Sequence, residues 1–477
     1  MSLSVRDAAH GRPRGDALVA PAGTLSWNGL VRAVLADAAR IVAEGGAGGV
    51  RGPARVALTA RGDARTVVRL LALIELGVPF APLHPRLTAP ERAAQLAALA
   101  PVLDLDGLEP DDPFAAAGSR GAAPPSALPA VPDDERPLAF VFSSGTGGAA
   151  RAVVLSRRAF GAAAASSAAR LDWREDDRWL LALPLARVGG LSIVTRCLAG
   201  RRAIALPDGS SPEALAAACA ERSVTLASLV PAQLARLLDS APAAARCAAL
   251  PAALRAVLLG GAAVPAGLLA AARERQLPVL PTYGMTETCA QVATVPPGLH
   301  PDPAHGCGPP LPGVELRIAG GRIEVRGPTL FSGTLPPSGA PFDPDGWFAT
   351  RDFGRIDARG FLHVEGRLDE LVIVGGENVA PGEVEAVLES IPGVAAALAF
   401  GVPDAELGEV VGAALLRSAD PPPDDDALAR RLAGRLAPFK RPRRLAWVDA
   451  LPETPDGKPD RRGAARRLAA SLRPFRA

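Results

Sequence analysis

Helical periodicity alternates with short apolar runs along most of this 477-residue chain, and that alternation constrains the fold more than any other feature. Leu30–Glu44 reads as helix, Arg55–Leu58 as strand, Ala64–Leu76 as helix and Pro79–Pro82 as strand. A connection rich in Ala, Pro and Gly, Ala115–Pro137, interrupts the pattern. It resumes with Ala203–Leu206 (strand), Pro212–Glu221 (helix), Thr225–Leu229 (strand), Ala232–Leu238 (helix), Ala256–Leu259 (strand) and Pro265–Arg275 (helix). Such βα alternation predicts parallel sheets covered by helices on both faces. From Val314 the pattern changes to short strands with Gly and Pro turns (Val314–Ile318, Arg322–Val325, Leu362–Val364), and after Arg367 a compact α+β segment follows. The expected class is α/β: two doubly wound subdomains and a small β-rich one over residues 1–366, then a small α+β domain over 367–477.

The most telling loop in this frame is Phe142-Ser143-Ser144-Gly145-Thr146-Gly147-Gly148, set between the apolar runs Leu138–Val141 and Val153–Leu155 and followed by Arg151. Small residues let backbone N–H groups close around an anion, hydroxyls add donors, and the arginine adds fixed charge. The loop therefore reads as a phosphate cradle, with a plain Gly/Ser surface turn as the alternative. A Walker loop needs Lys and Ser or Thr after its last glycine, and here Ala149 and Ala150 follow. Gly145, Gly147 and Ala150 satisfy a dinucleotide fingerprint by spacing, with Asp172 further on. That fingerprint opens a helix, whereas Ala152-Val153-Val154-Leu155 is β-branched and short, as in a returning strand.

Lys+Arg number 52 and Asp+Glu 50, so no net field marks a nucleic-acid or anionic-membrane partner, and the expected ligand is small. The five cysteines, Cys197, Cys219, Cys247, Cys289 and Cys307, have no C-x-x-C spacing, which argues against a disulfide framework or zinc site and fits a reducing cytoplasm. Met1–Pro13 has no apolar core of a signal peptide, and Glu75 breaks the longest apolar stretch, so neither export nor a membrane span is expected.

Further motifs stand on predicted strand ends. Tyr283-Gly284-Met285-Thr286-Glu287-Thr288 follows the apolar Leu277–Leu280, where open α/β sheets bind ligands, and a carboxylate there suits Mg²⁺ bridging nucleotide phosphates. Gly260-Gly261-Ala262-Ala263 is small enough for a flat base to approach the backbone, and Tyr283, the one tyrosine, could cover the other face or simply pack. Gly346-Trp347-Phe348-Ala349-Thr350-Arg351-Asp352 ends in a carboxylate suited to two ribose hydroxyls. Gly366-Arg367-Leu368-Asp369, Gly375-Gly376-Glu377-Asn378 and Gly457-Lys458 taken singly read equally as turns or a solvated lysine.

Taken together and in this order, Ser143–Arg151, Tyr283–Glu287, Gly346–Asp352, Gly366–Asp369 and Gly457–Lys458 resemble the core motifs of the acyl-adenylating superfamily, over nearly the whole chain. The resemblance implies a two-step reaction: a carboxylate attacks the α-phosphorus of MgATP, giving acyl-AMP and pyrophosphate, and a thiol, usually that of CoA, displaces AMP. It assigns the β- and γ-phosphates to Ser143, Ser144, Gly145, Thr146, Gly147, Gly148 and Arg151, and the α-phosphate and Mg²⁺ to Thr286 and Glu287. Adenine falls to Gly261, Ala262, Ala263, Tyr283, Gly284 and Met285, and ribose to Asp352 and Arg367. Lys458 is implied to bridge carboxylate and phosphate in the first step only. The C-terminal domain is implied to be mobile about a hinge at Asp369, bringing Gly375 and Gly376 to the CoA tunnel. Because no carrier-protein segment follows Ala477, the thiol acceptor is expected to be a separate molecule.

Several stretches resemble one branch of that superfamily, the o-succinylbenzoate–CoA ligases of menaquinone synthesis: Pro82–Thr88, Leu183–Leu185 with Gly189–Ile193, Ser228–Leu234, Ala256–Pro265 and Met285–Gln291. That substrate has a second carboxylate, which asks for a cation in the acyl pocket, and the candidates there are Arg196, Arg187, Gly189 and Ser192. Ala186 and Arg187 depart from the aromatic and histidine usual after Leu-Pro-Leu; Ala150, Arg151 and Ala152 replace Pro, Lys and Gly in the loop, and Thr334 replaces a common aromatic. A ligase for another aryl or acyl acid, a stand-alone adenylating enzyme and a non-catalytic adenylate-binding protein stay open as alternatives. A homodimer stays open as the assembly.

Overall fold

The computed structural model describes residues 2–45, 54–108, 111–118, 134–142, 150–240, 254–453 and 459–476. It divides into two compact units, residues 1–316 with 325–348 and residues 317–324 with 349–477.

The first unit holds two sheets. One has eight strands in the order Ala290–Thr294, Val279–Met285, Ala256–Leu259, Leu226–Leu229, Arg178–Leu180, Ala203–Ala205, Asp16–Ala20, Gly23–Ser26. Its six central strands are parallel and each edge strand is antiparallel to its neighbour. The other has six strands in the order Gly333–Leu335, Ala152–Ser156, Pro137–Phe142, Phe80–Leu83, Val56–Thr59, Leu103–Asp104. Here Pro137–Phe142 runs parallel to Phe80–Leu83 but antiparallel to Ala152–Ser156, so the connection between residues 142 and 152 joins two strands of a hairpin, as its β-branched sequel predicts.

Local sequence accounts for these elements. The helix Ala64–Leu76 starts where the Asp63 carboxylate accepts from the Thr66 N–H at 2.8 Å and stops at Gly77, whose φ of 66° suits glycine. It is buried all round, and Leu70, Leu71, Leu73 and Ile74 each contribute roughly 1.5–3 kcal/mol of transfer free energy. Its one buried cation, Arg69, pairs with buried Asp37 at 3.0 Å, which a charge in such a core requires. The helix Pro212–Glu221 combines an Ser211 N-cap with proline in the first turn, and its bounds agree with the sequence reading.

Beyond Glu315 a four-stranded sheet runs in the order Glu315–Ala319, Arg322–Arg326, Phe348–Ile356, Leu362–Arg367, the short strands expected from the Gly- and Pro-punctuated pattern. The rest of the second unit is α+β: Val394–Asp404 and Gly408–Arg417 form a long hairpin, Arg444–Val448 adds a parallel strand, and helices Pro381–Glu389 and Asp425–Ala433 bury their apolar faces against this sheet. No described helix is long and apolar enough to cross a membrane.

Candidate active site

Three parallel strands, Leu226–Leu229, Ala256–Leu259 and Val279–Met285, end side by side, with Leu229, Leu259 and Pro281 in register. The loops leaving their carboxyl ends carry the expected nucleotide residues, at the position where open α/β sheets bind ligands. Gly260 and Gly261 are required there by geometry. A Cβ on Gly260 would lie 2.7 Å from the Thr282 carbonyl, and Gly261 has a φ of 82°. Gly261, Ala262 and Ala263 are exposed, leaving backbone open to a flat ligand. Tyr283 is only 8% exposed, so its ring is packed more than a wholly open aromatic would be.

The segment bearing Thr286 and Glu287 is a single 3₁₀ turn between Val279–Met285 and the returning strand Ala290–Thr294. Thr288 Oγ1 accepts from the Met285 N–H at 3.1 Å, and the Phe331 N–H donates to the Glu287 carbonyl at 2.9 Å, so main-chain contacts hold the turn. Two consecutive non-glycine residues close it in the left-handed region, Cys289 at φ 54° and Ala290 at φ 84°. Such strain is retained where the surroundings over-determine it, commonly at functional sites. Gly284 sits where the strands cross, and a Cβ there would fall 1.6 Å from the Ala290 carbonyl oxygen. Gly284→Ala is therefore expected to cost roughly 3 kcal/mol or more, read as a lowered denaturant midpoint. A loss under about 1 kcal/mol would contradict that close approach.

Residues 143–149 lie outside the described residues, so Ser143, Ser144, Gly145, Thr146, Gly147 and Gly148 are not described, but both ends of their loop are. Phe142 and Ala152 are paired in the last register step of the hairpin, and Arg151 is exposed beside it. Ala152 is a strand residue with no positive φ, so alanine costs nothing there.

The helix Val188–Gly200 brings in the acyl-pocket candidates. Ten of its thirteen residues are buried. Gly190 lets its first turn lie on Pro184, where a Cβ would be 2.3 Å from the carbonyl, and the Ser192 hydroxyl donates back to the Gly189 carbonyl at 2.9 Å. Arg187 caps this helix and donates from Nη1 to the Phe142 carbonyl at 3.2 Å. Arg196 is 2% exposed, with Nε and Nη2 lacking any hydrogen-bond partner among the described residues. Its guanidinium stacks 5.6 Å from the Trp179 ring, whose Nε1 donates to Ser228 at 3.1 Å. Burial pushes Arg196 down to about 10, still cationic at neutral pH, with the buried Cys289 and Cys197 sulfurs in electrostatic range. A buried cation whose donors are left in part without hydrogen-bond acceptors is costly unless something anionic is supplied. Trp179, itself tied to Ser228, and Cys289 thus neighbour Arg196, and sequence reasoning did not foresee Trp179 or Cys289 in that role.

In the second unit Asp352 and Arg367 face each other across the ladder between Phe348–Ile356 and Leu362–Arg367, with Arg367 Nε 3.9 Å from Asp352 Oδ1. Both expected ribose ligands are therefore cross-strand neighbours. Asp352 is 9% exposed, and its N–H donates to Thr350 Oγ1 at 3.1 Å. Asp369 falls in the one-turn helix Leu368–Glu370. Gly375 and Gly376, at φ 58° and 90°, make the two-residue turn between Val372–Val374 and Glu377–Val379, a geometry that demands left-handed residues. Lys458 lies outside the described residues, but its segment is framed by an antiparallel bridge between Glu453 and Pro459. Arg461, three residues on, pairs with Glu370 at 3.0 Å and Glu385 at 2.7 Å, tying this segment to the turn at Asp369. The sequence offered no signal for that three-way contact.

Comparison with known proteins agrees with this geometry. A family model described as AMP-binding enzyme matches residues 5–335, and one described as AMP-binding enzyme C-terminal domain matches residues 383–458. The 2-succinylbenzoate–CoA ligase of Bacillus licheniformis is 38% identical over 325 residues, 66% of this chain and 66% of that protein. The same-named ligase of Geobacillus kaustophilus is 36% identical over 332 residues, 67% of each. Those alignments span about two thirds of the relatives' length. Solved structures match further: o-succinylbenzoate CoA synthetase from Bacillus subtilis with the acyl-adenylate OSB-AMP has a TM-score of 0.82 at 28% identity, covering 99% of both chains. The same enzyme with ATP and magnesium ion has a TM-score of 0.80 at 28% identity, covering 96% of this chain and 98% of that one.

Proposed function

Because the chain belongs to the AMP-binding enzyme family, we propose that it is an AMP-forming acid–thiol ligase that converts o-succinylbenzoate to o-succinylbenzoyl-CoA for menaquinone synthesis in the cytoplasm. The observation that carries the substrate is Arg196: a buried, charged guanidinium with two unpartnered nitrogens matches the second carboxylate of this acid. The identity to 2-succinylbenzoate–CoA ligases supports the same choice.

The substrate carboxylate attacks the α-phosphorus of ATP and pyrophosphate leaves; the CoA thiolate then attacks the acyl carbonyl and AMP leaves. The α-phosphorus and then the acyl carbonyl are each approached by an anion, so the chain must supply positive charge and donors where charge gathers. The Ser143–Gly148 loop with Arg151 holds the β- and γ-phosphates. Thr286 and Glu287 offer the hard oxygen ligands that Mg²⁺ prefers, and the half-buried Glu287 fits that donor set. Bound Mg²⁺ neutralises phosphate charge. Gly261–Ala263 and Tyr283–Met285 receive adenine, Asp352 and Arg367 the ribose, and Lys458 bridges the two reacting anions. Residues 1–366 and 367–477 act as the functional domains, turning at Asp369 so that one site serves two steps and Gly375–Gly376 meets the pantetheine arm.

Pyrophosphate release on a panel of acids, with and without CoA, tests this reading. Release with o-succinylbenzoate and CoA-dependent AMP formation are expected. Release only with simple benzoates would replace the substrate; none with any acid would exclude a ligase. Arg196→Met separates pocket from scaffold. It is expected to raise the KM for o-succinylbenzoate about 30-fold, the worth of a charged hydrogen bond, while stabilising the fold by about 1–3 kcal/mol because an unpaired buried charge is gone. An unchanged KM with lowered stability would make Arg196 structural.

A further inference from the structure

We propose that Trp179 is a positioning residue for acid recognition, its indole ring being the contact that holds the Arg196 guanidinium while leaving its donors free. This deepens the reading of Arg196 as the partner of the acid's second carboxylate and rests on it.

A guanidinium carries five N–H donors in a planar fork, and a buried one is ordinarily fixed by the acceptors it bonds. The other buried arginines among the described residues of the first unit follow that rule. Arg69 is paired with Asp37 at 3.0 Å, and Arg157 donates to the carbonyls of Ile74 at 2.9 Å and Leu3 at 2.8 Å. Arg196 departs from it, since neither Nε nor Nη2 has an acceptor among the described residues. Its guanidinium instead lies by the Trp179 ring, with Cζ 5.6 Å from the ring centroid. An aromatic face attracts a cation without consuming its N–H groups, and does so more strongly away from water. A carboxylate in the place of Trp179 would satisfy the fork and remove its need for an anion. The ring restrains the fork and leaves that need in place.

The ring is itself fixed from several sides. Trp179 is 1% exposed and stands opposite Leu226 in the parallel register, so its side chain shares a sheet face with Leu226 and, two residues on, with Ser228. Trp179 and Leu226 belong to one core with Leu191 and Val194 of the helix that bears Arg196, whereas Leu180, Ala227 and Leu229 belong to the core on the opposite face. On that shared face Nε1 of Trp179 donates to the Ser228 hydroxyl at 3.1 Å. Trp173 meets the ring edge-on, with centroids 5.7 Å apart and planes at 84°. One helical turn beyond Arg196, Gly200 lies so close to Trp173 that a Cβ would fall 2.2 Å from its ring. A guanidinium held by a fixed ring has less side-chain freedom to lose when a carboxylate binds.

KM values for o-succinylbenzoate and MgATP, read by pyrophosphate–ATP isotope exchange on the full chain, test this role. Trp179→Leu is expected to raise the KM of the acid about tenfold and leave that of MgATP within about twofold. In an Arg196→Met background the same substitution should add less than about twofold, because the group through which the ring acts is gone. Trp179→Phe, which keeps an aromatic filler but has a weaker face and no bond to Ser228, should raise the acid KM about threefold. An unchanged acid KM in both single variants overturns the proposal. A Trp179→Leu effect that multiplies in full on Arg196→Met overturns it by showing that the ring acts independently of Arg196, and an equal rise in the KM of MgATP overturns it as a general disturbance. A native chain that shows no exchange with o-succinylbenzoate would instead overturn the acid reading beneath it.

Discussion

In Lys458→Ala, acyl-adenylate formation is expected to fall about 10²–10³-fold, while thioester formation from supplied acyl-AMP and CoA is expected to stay within about threefold. The attacking carboxylate and the α-phosphate are both anionic, and their repulsion grows as they approach. A cation between them lowers the barrier only while that charge is concentrated there. In the second step a thiolate meets an acyl carbonyl and the leaving group is AMP, so the bridge is no longer needed. Isotope exchange between pyrophosphate and ATP reads the first half, and single-turnover thioester formation reads the second. Equal loss in both halves would mean that Lys458 acts on a shared element and not on the adenylation step. Arg461 offers the control for motion: it pairs with Glu370 beside the proposed hinge residue Asp369, so its loss should disturb both halves.

Glu287→Gln is expected to lower kcat/KM for adenylation about 100-fold, with part of the loss recovered by raised Mg²⁺. The substitution keeps size and removes charge. The turn that carries it is held by the Thr288 hydroxyl and by the Phe331 N–H on the Glu287 carbonyl, contacts which the substitution leaves in place. The fold should therefore survive, with a stability change within about 1 kcal/mol. A loss that does not respond to Mg²⁺ would separate Glu287 from metal binding, and undiminished adenylation would remove it from the site.

Helix bounds were legible where capping chemistry is local. Asp63 and Gly77 mark the ends of Ala64–Leu76, and Ser211 with Pro212 marks the start of the helix at 212. The returning strand Ala152–Ser156 was legible from Val153 and Val154, which argued against a dinucleotide fingerprint opening a helix there. Arg196 was not. Its helix is buried on nearly every face, so no polar stripe distinguishes a pocket arginine from a surface one. The Arg187 contact was not legible for a related reason: a motif names the residue at a position but not the atom its side chain reaches. Here that atom is a main-chain carbonyl over forty residues away, and main-chain acceptors carry no sequence signature.

From the sequence alone came the α/β class, the order of the nucleotide motifs and the family resemblance, because strand and helix preferences, turn residues and short ligand loops are written in contiguous residues. Tertiary structure alone decided which distant groups meet. The register between Phe348–Ile356 and Leu362–Arg367 set Asp352 opposite Arg367, crossovers between strands brought Arg196 beside Trp179 and Cys289, and two packed layers joined Arg187 to Phe142. Those pairings depend on register and layer packing, which no short window of sequence contains.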